Sequence, residues 1–521
     1  DIHSDLNSYF ILPGISFMKR LIVLLILLIF VLLNKSACAE ETVFFAERDF
    51  SKTNPHTKRL SPQILKMKID VTDNITRYFD DGIVPVDMKD CIIMTLSNNY
   101  DIKIVSKTQE QQKWLYYNKL SEFMPNFYYN YNIADLRGEF LVGNVLPRRI
   151  HEIAMQNVFG YGWVVFDGGK RFFNAKAQKD IYRASAQDKK MTQEKAILTV
   201  VEKYNDLLAK KLSIEVYERN LIQTQAQLEL NKNTYEIGVG NKFDVVRSEA
   251  EVESAKQKLV EAYNSFRLAQ VSLASFMGSD SYCPVFPVED DIVQNTILDT
   301  GLTLEKMEEI AFANRSDLKS LELKISSLKN QKKTILSSFA PTISIDGAYS
   351  YVGTVRLGSR PNHSIALDAR WALGKGLGTY EYTQMKAAQA EIDRNVLELD
   401  HTKNQIKEDL INTYYSIATA KQTVEAAKRQ VVAADESLRI AFGRLESGVG
   451  IYIDVLQAQA SEVEAKINLI NAIVAYNNLQ IKALYDMGII SVCNSTKGYI
   501  ADSEAFKKYL EKKGYYLKKR G

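Results

Sequence analysis

The sequence predicts a mainly helical chain with a small β part, written as two copies of one architecture. Three observations predict it. Matching residues recur about 210 positions apart; each copy holds a very long stretch without Pro; and each copy holds two runs of period-two hydrophobicity. Composition narrows the classes. Over 521 residues, 66 Lys+Arg against 63 Asp+Glu leave a net charge of +3, too little to imply a nucleic-acid partner. A 46% hydrophobic and 25% charged chain folds, and four Cys do not make a disulfide scaffold.

The elements follow in chain order. Residues 1–17 precede Met18, and Met18 is read as the start, with 1–17 as upstream translation. Lys19-Arg20, the thirteen-residue apolar run Leu21–Leu33 and Ala37-Cys38-Ala39 predict a secretory signal peptide over 18–39. Cleavage after Ala39 is expected. Cys38 is a candidate for lipidation, but Lys35 stands where a lipoprotein signal wants an aliphatic residue. The apolar run is too short for a membrane-spanning helix. Residues 40–83 form an N-terminal extension expected to lie against the helical body.

The first copy is assigned to 84–290 and the second to 291–488. Val86–Ile102 recurs as Leu302–Leu318, and Phe123-Met124-Pro125 as Phe339-Ala340-Pro341, at an offset of 216. Farther on the offset is 210: Tyr204 with Tyr414, Gly238-Val239-Gly240 with Gly448-Val449-Gly450, Asp244 with Asp454, Met277-Gly278 with Met487-Gly488. After Pro125, Phe127, Tyr129, Tyr131 and Ile133 share one face of an extended chain. Ile153, Met155, Phe159, Tyr161, Trp163 and Val165 alternate in the next run. In the second copy, Ile343, Ile345, Tyr349 and Tyr351 alternate with polar residues, as do Ile365, Leu367, Ala369, Trp371 and Leu373. Each copy thus carries two strands of roughly ten residues, the length of a transmembrane β-strand. An amphipathic hairpin on a water-soluble core has the same pattern. Four strands cannot close a barrel, and an open edge in lipid leaves N–H and C=O groups unpaired at several kcal/mol each. A membrane barrel therefore requires several chains.

The rest is helix. From about 170 to 237, and from about 379 to 447 apart from Gly443, neither Pro nor internal Gly interrupts the chain. At ~1.5 Å per residue each stretch reaches about 100 Å. Seven-residue spacing links Leu207, Ile214, Leu221, Leu228 and Tyr235, then Ile417, Val424, Val431, Leu438 and Leu445. The following helix repeats it at Val245, Val252, Leu259, Phe266 and Leu273. Such spacing is coiled-coil packing, so the helices lie side by side in an elongated body.

The set of motifs resembles the TolC family of outer membrane efflux proteins. The resemblance rests on Thr303-Leu-Glu…Asn314-Arg-Ser-Asp317-Leu and its partner around Asn98-Asn99-Tyr100-Asp101, and on the two Phe-x-Pro entries to the strands. Trp163-Val-Val-Phe-Asp167-Gly-Gly169 and the two Gly-Val-Gly turns complete it, covering about 84–488. The resemblance implies a homotrimer, with a twelve-stranded β-barrel in outer membrane lipid and a long α-helical barrel of coiled-coil hairpins in the periplasm. It implies a passive exit duct for efflux or type I secretion. The partners it implies are a periplasmic adaptor, or membrane fusion protein, and an inner-membrane pump of RND, ABC or MFS type. Cargo in the family ranges from small molecules and metal ions to proteins. The docking tips would be Gly238, Val239, Gly240, Gly448, Val449 and Gly450.

Gly238 and Gly448 stand where a helix must stop and the chain reverse, a C-cap that tolerates φ > 0. Asp244 and Asp454 open the return helices, where the helix dipole favours an acid. Under threefold symmetry they are also candidates for acidic rings at a periplasmic gate, drawing cations to the entrance. The family's Arg and Tyr latch positions fall on Gly450 and Leu445, and its next acidic position on Gln457, so a latch built the same way is not expected.

No nucleophile–base set, phosphate loop or paired carboxylates suggests an enzyme, and no cofactor or metal is implied. His151 and His363 are expected in barrel loops. Cys283 and Cys493, 210 residues apart, are a disulfide candidate only if the fold brings them together. The charged run 189–194 is expected on a solvated face. The basic tail 489–521 is expected to be loosely ordered. The rival architecture is a periplasmic coiled-coil scaffold without a pore.

Overall fold

The computed structural model describes residues 84–142, 145–279, 285–289, 291–298, 302–354, 358–372, 374 and 376–496, all within one compact unit. The expected upstream residues, signal peptide with Cys38, extension 40–83, Cys283, Leu373 and the tail beyond Thr496 lie outside them.

The elements run β1 (Val84–Val86), α1 (Met88–Asn98), α2 (Tyr100–Ser121), β2 (Asn126–Val142), β3 (Val145–Phe166), α3 (Lys170–Glu236), α4 (Lys242–Phe276) and β4 (Val285–Pro287). They recur as α5 (Leu304–Asn314), α6 (Ser316–Leu336), β5 (Thr342–Thr354), β6 (Gly358–Arg370), α7 (Thr379–Glu446) and α8 (Tyr452–Asp486). The two long helices have 67 and 68 residues and the two return helices 35 each. Among the described residues no helix is long and apolar enough to cross a membrane. A short helix α9 (Val492–Ser495) follows, with Ser495 fully buried, so the tail begins as an anchored turn rather than a loose one.

The four long strands form one antiparallel sheet in the order β2-β3-β5-β6. The helices stand in the same lateral order, α2-α3-α6-α7, each continuing the strand it joins; α4 packs on α3, and α8 on α7 and α3. The heptad positions form the seams. Leu207, Val252, Leu259, Phe266, Leu273, Val424 and Leu438 are buried, whereas Tyr235, at the far end of its helix, is exposed. Leu208, Leu212, Ile292, Val424, Ile473 and Tyr476 make a core where both copies meet.

The strand lengths correct the expectation of ten residues. β2 has 17, β3 has 22, and β5 and β6 have 13 each. The pairing explains the excess in β2 and β3. Beyond Ile133 the apolar face gives way to Asp135 and Arg137, which pair with each other, while Asp135 also lies 3.6 Å from His151 on the opposite strand. The hairpin carries on past its aromatic band. His151 and His363 accordingly lie inside β3 and β6, not in loops. At the other end β6 stops at Arg370, one residue before Trp371.

The long helices are not solvated on all the faces where charge suggested it. Where α3 meets α6, Asp180 accepts from Ser326 Oγ (2.8 Å) and Asn330 Nδ2 (2.9 Å), and Asp188 from Ser320 Oγ (2.5 Å). Glu194, from the run expected to face water, is buried beside Ser316, and burial raises its carboxyl above the ordinary range. Ser and Asn donors thus satisfy these acids, joined by Lys324 at Asp188 (3.4 Å) and Lys190 at Glu194 (3.5 Å).

Near the middle of the body, β1 pairs in parallel with β4, and buried Tyr204 donates to Glu289 and to the Val86 carbonyl. Asp87 caps α1 by accepting from Asp90 N (2.6 Å), and burial, with the Asp90 charge, pushes its carboxyl up to about 6 from 3.8. The folded protein then holds a proton that the unfolded chain has released between about pH 4 and 6. Stability therefore falls as pH rises through that window, by up to about 3 kcal/mol, and is flat above it. Asp87→Asn keeps the cap oxygen and removes the titration. Unfolding midpoints measured from pH 4 to 7 should show the variant gaining on the parent as pH rises.

Candidate functional site

Two features of the chain are unfinished: the sheet edges and the hairpin tips. On the sheet, register keeps one face apolar across all four strands. Phe127, Tyr161, Gly347 and Ile365 form one row; Trp163, Ile345 and Leu367 form another. The next row, Tyr129, Phe159, Tyr349 and His363, remains largely aromatic. The opposite face reads Asn130, Val158, Ser350 and Asn362, then Asn132, Gln156, Val352 and Arg360. Tyr161 lies over Gly347, and Tyr128 over Gly160 on the other face, where an added Cβ would overlap the ring. Each helix-to-strand entry is tied the same way. The Trp163 indole donates to the Phe123 carbonyl (3.0 Å), and that of Trp371 to the Phe339 carbonyl (3.1 Å).

Among the described residues β2 and β6 are edge strands with no partner on their outer sides. The adjoining helices leave apolar side chains exposed: Tyr100, Ile104 and Trp114 on α2, and Tyr382, Leu397 and Tyr415 on α7. Unpaired backbone in β2 and β6 continues into unpaired apolar helix on both flanks.

The tips are built alike. After α3, Gly238 takes φ +82°, and the N–H groups of Val239 and Gly240 both donate to the Thr234 carbonyl, at 3.0 and 2.8 Å. After α7, Gly448 takes φ +74°, and Val449 and Gly450 donate to Arg444 in the same way, at 3.1 and 2.8 Å. The first Gly of each turn is needed for its dihedral; the second is needed for space. A Cβ on Gly240 would come within 2.7 Å of the Tyr235 nitrogen, and one on Gly450 within 2.9 Å of Arg444 and Leu445 backbone. No Arg could stand at 450 undisturbed. Leu445 instead packs on a cluster of Leu438, Ala441, Val455 and Ala458. Between the glycines, Val239 is 81% exposed and Val449 74%, flanked by exposed Ile237, Phe243 and Ile451.

Asn241 caps α4, its side chain accepting from Phe243 N, while no side chain caps α8. Asp244 and Asp454 occupy the first turns of these helices, both half-buried, and neither carboxylate accepts a hydrogen bond or forms an ion pair among the described residues. The structure does not bring the two acids together. It joins the tips through other residues. Asn231 Nδ2 donates to Ser248 Oγ (2.6 Å), and Ser248 Oγ is hydrogen-bonded to Tyr452 Oη (3.0 Å), in buried surroundings. Gln227 in turn donates to Asn231 (3.1 Å). Burial raises the Tyr452 phenol above its ordinary value, so it stays protonated. The bridge links the first copy's hairpin to the second's return helix. Sequence reasoning passed over Tyr452. Its signal was a Tyr standing where the first copy has Lys242.

Comparison with known proteins adds the following. The family described as outer membrane efflux protein matches residues 152–279 and 309–482. The chain is 22% identical over 283 residues to the nodulation protein T of Rhizobium leguminosarum bv. trifolii, covering 52% of this chain and 59% of that protein. It is 19% identical over 317 residues to the outer membrane efflux protein BepC of Brucella suis biovar 1 (strain 1330), covering 59% of this chain and 66% of that one. The chain thus spans less than two thirds of the length of these curated relatives. Its fold is similar to that of the outer membrane protein VceC of Vibrio cholerae, with a TM-score of 0.67 at 14% identity. That match covers 77% of this chain and 96% of the other.

Proposed function

Because the chain belongs to the outer membrane efflux protein family, we propose that three copies form one sealed duct through which cargo leaves the cell. Members of this family are channels, not enzymes. The observation that carries the trimer is the four-stranded sheet with one continuous apolar face and two unpaired edges. In lipid those edges must be closed, and β6 of one copy has the right neighbour in β2 of the next. Three copies make twelve strands, and α7 meets α2 along the same seam, covering the aromatic residues both expose. A coiled-coil scaffold without a pore has no use for a sheet whose register holds aromatic and aliphatic side chains on one side and Asn, Gln and Ser on the other.

The helices then extend the duct through the periplasm, with the Gly-Val-Gly tips at its inner end. Exposed Val239, Ile237, Val449 and Ile451 offer apolar surface suited to the helical hairpin of a periplasmic adaptor. An inner-membrane pump of RND, ABC or MFS type supplies the free energy, and the duct itself is passive. Asp454 and Asp244, each repeated three times around the entrance, hold uncompensated carboxylates where the passage is narrowest, which favours cations.

Conductance across planar lipid films tests this reading. The trimer should be cation-selective, and Asp454→Ala should lower that selectivity and weaken block by multivalent cations added on the tip side. Unchanged selectivity and block would remove Asp454 from the gate.

A further inference from the structure

The last turns of α6 carry a cluster that the duct does not explain. Lys329, Lys332 and Lys333 line a groove of about 350 Å³ between α6 and α7, whose floor is Leu336, Met385 and Ile392. Lys332 Nζ donates to Gln389 Oε1 (2.6 Å), and Lys333 Nζ stands 5.7 Å from the centre of the Phe173 ring. Among the described residues none of the three ammonium groups lies within ion-pair distance of a carboxylate. The nearest link to one runs through Gln389, which spends its own amide on Asp393 (2.7 Å). Three like charges on adjacent turns repel one another unless an anion joins them. The duplication did not impose the cluster. At the 216 offset the first copy has Lys113, Tyr116, Tyr117 and Leu120.

The cluster sits beside the strand entry. Leu336 ends α6, and Phe339, three residues on, is the carbonyl held by Trp371 at the strand entry. Trp side chains of this kind mark the boundary of the hydrocarbon. At ~1.5 Å per residue, Lys333 and Lys332 lie about 5–6 Å from the helix end, and Lys329 about 10 Å. The polar layer of a bilayer is roughly 5–8 Å deep on each side. With the sheet in the bilayer, the backbone of Lys332 and Lys333 falls at the depth of the headgroup layer, and the long stem of Lys329 spans the remaining distance.

We infer that this groove binds the phosphodiester headgroup of an anionic phospholipid from the periplasmic leaflet, with acyl chain carbons on the Leu336–Met385–Ile392 floor. The inference rests on the sheet lying in the bilayer. Each lysine near a charged headgroup contributes about fivefold in partitioning, so three give on the order of a hundredfold.

The test uses the full chain reconstituted in nanodiscs of phosphatidylethanolamine, with and without phosphatidylglycerol. Retained lipid is read by native mass spectrometry and stability by the melting midpoint. Phosphatidylglycerol should be retained and should raise the midpoint. The triple variant K329Q/K332Q/K333Q should lose both effects while melting as the parent does in phosphatidylethanolamine alone. K329Q alone, which removes an ammonium without a hydrogen-bond partner among the described residues, should show an intermediate loss if the triple variant does not assemble. Equal retention by parent and variants overturns the site, as does an equal rise with inorganic phosphate in place of the lipid. Failure of the protein to enter nanodiscs at all would strike the membrane placement instead.

Discussion

Ile365→Arg is expected to abolish recovery of assembled protein from the membrane fraction. Ile365 is 79% exposed near the middle of β6, in the row shared with Gly347, Tyr161 and Phe127. On the face proposed to meet lipid, Arg near the bilayer midplane costs about 2–4 kcal/mol, and a trimer incurs that cost three times. The same substitution one residue earlier, Ser364→Arg, points to the polar face opposite Ala348 and should leave assembly intact. Membrane extraction followed by unheated gel electrophoresis compares the two. Equal recovery of both variants would mean that the apolar face does not meet lipid.

The second large effect is expected at the tips. Ser248→Ala removes the group that joins Asn231 to Tyr452 and leaves the Tyr452 hydroxyl without that partner in a buried place. An orphaned buried polar group costs about 1–3 kcal/mol, borne by the tethered arrangement and relieved when the tips part. With three bridges around the entrance, the shift toward a parted state is expected to exceed tenfold, seen as a rise in mean single-channel conductance. Tyr452→Phe removes the hydroxyl without orphaning one and should give a smaller rise. Conductance unchanged in both would mean that the bridge fixes the hairpins without restraining the passage.

Much of this was legible in the sequence because the features are periodic. Absence of Pro and Gly marked α3 and α7 to within a residue or so, since nothing else in water sustains 67 or 68 residues without a break. The two Gly-Val-Gly turns were legible because their dihedrals and close approach demand glycine. The strand ends were less so. Alternation reports the apolar band, and beyond it the face of Ile133 continues with Asp135 and Arg137, where period two carries no signal. The run 189–194 was misread because Glu194 looks solvated until Ser316 of a distant segment is placed against it. The bridge at the tips was hidden for the same reason. Ser248 and Tyr452 are 204 residues apart, and only the fold makes them neighbours.

A sealed duct depends on how many copies complete the sheet. The number of chains in the detergent-solubilised particle, measured by light scattering with the detergent contribution subtracted, addresses that directly. Three chains per particle, falling to one only on denaturation, is the predicted result. A stable, folded particle of a single chain, with β2 and β6 both left open to detergent, would contradict it.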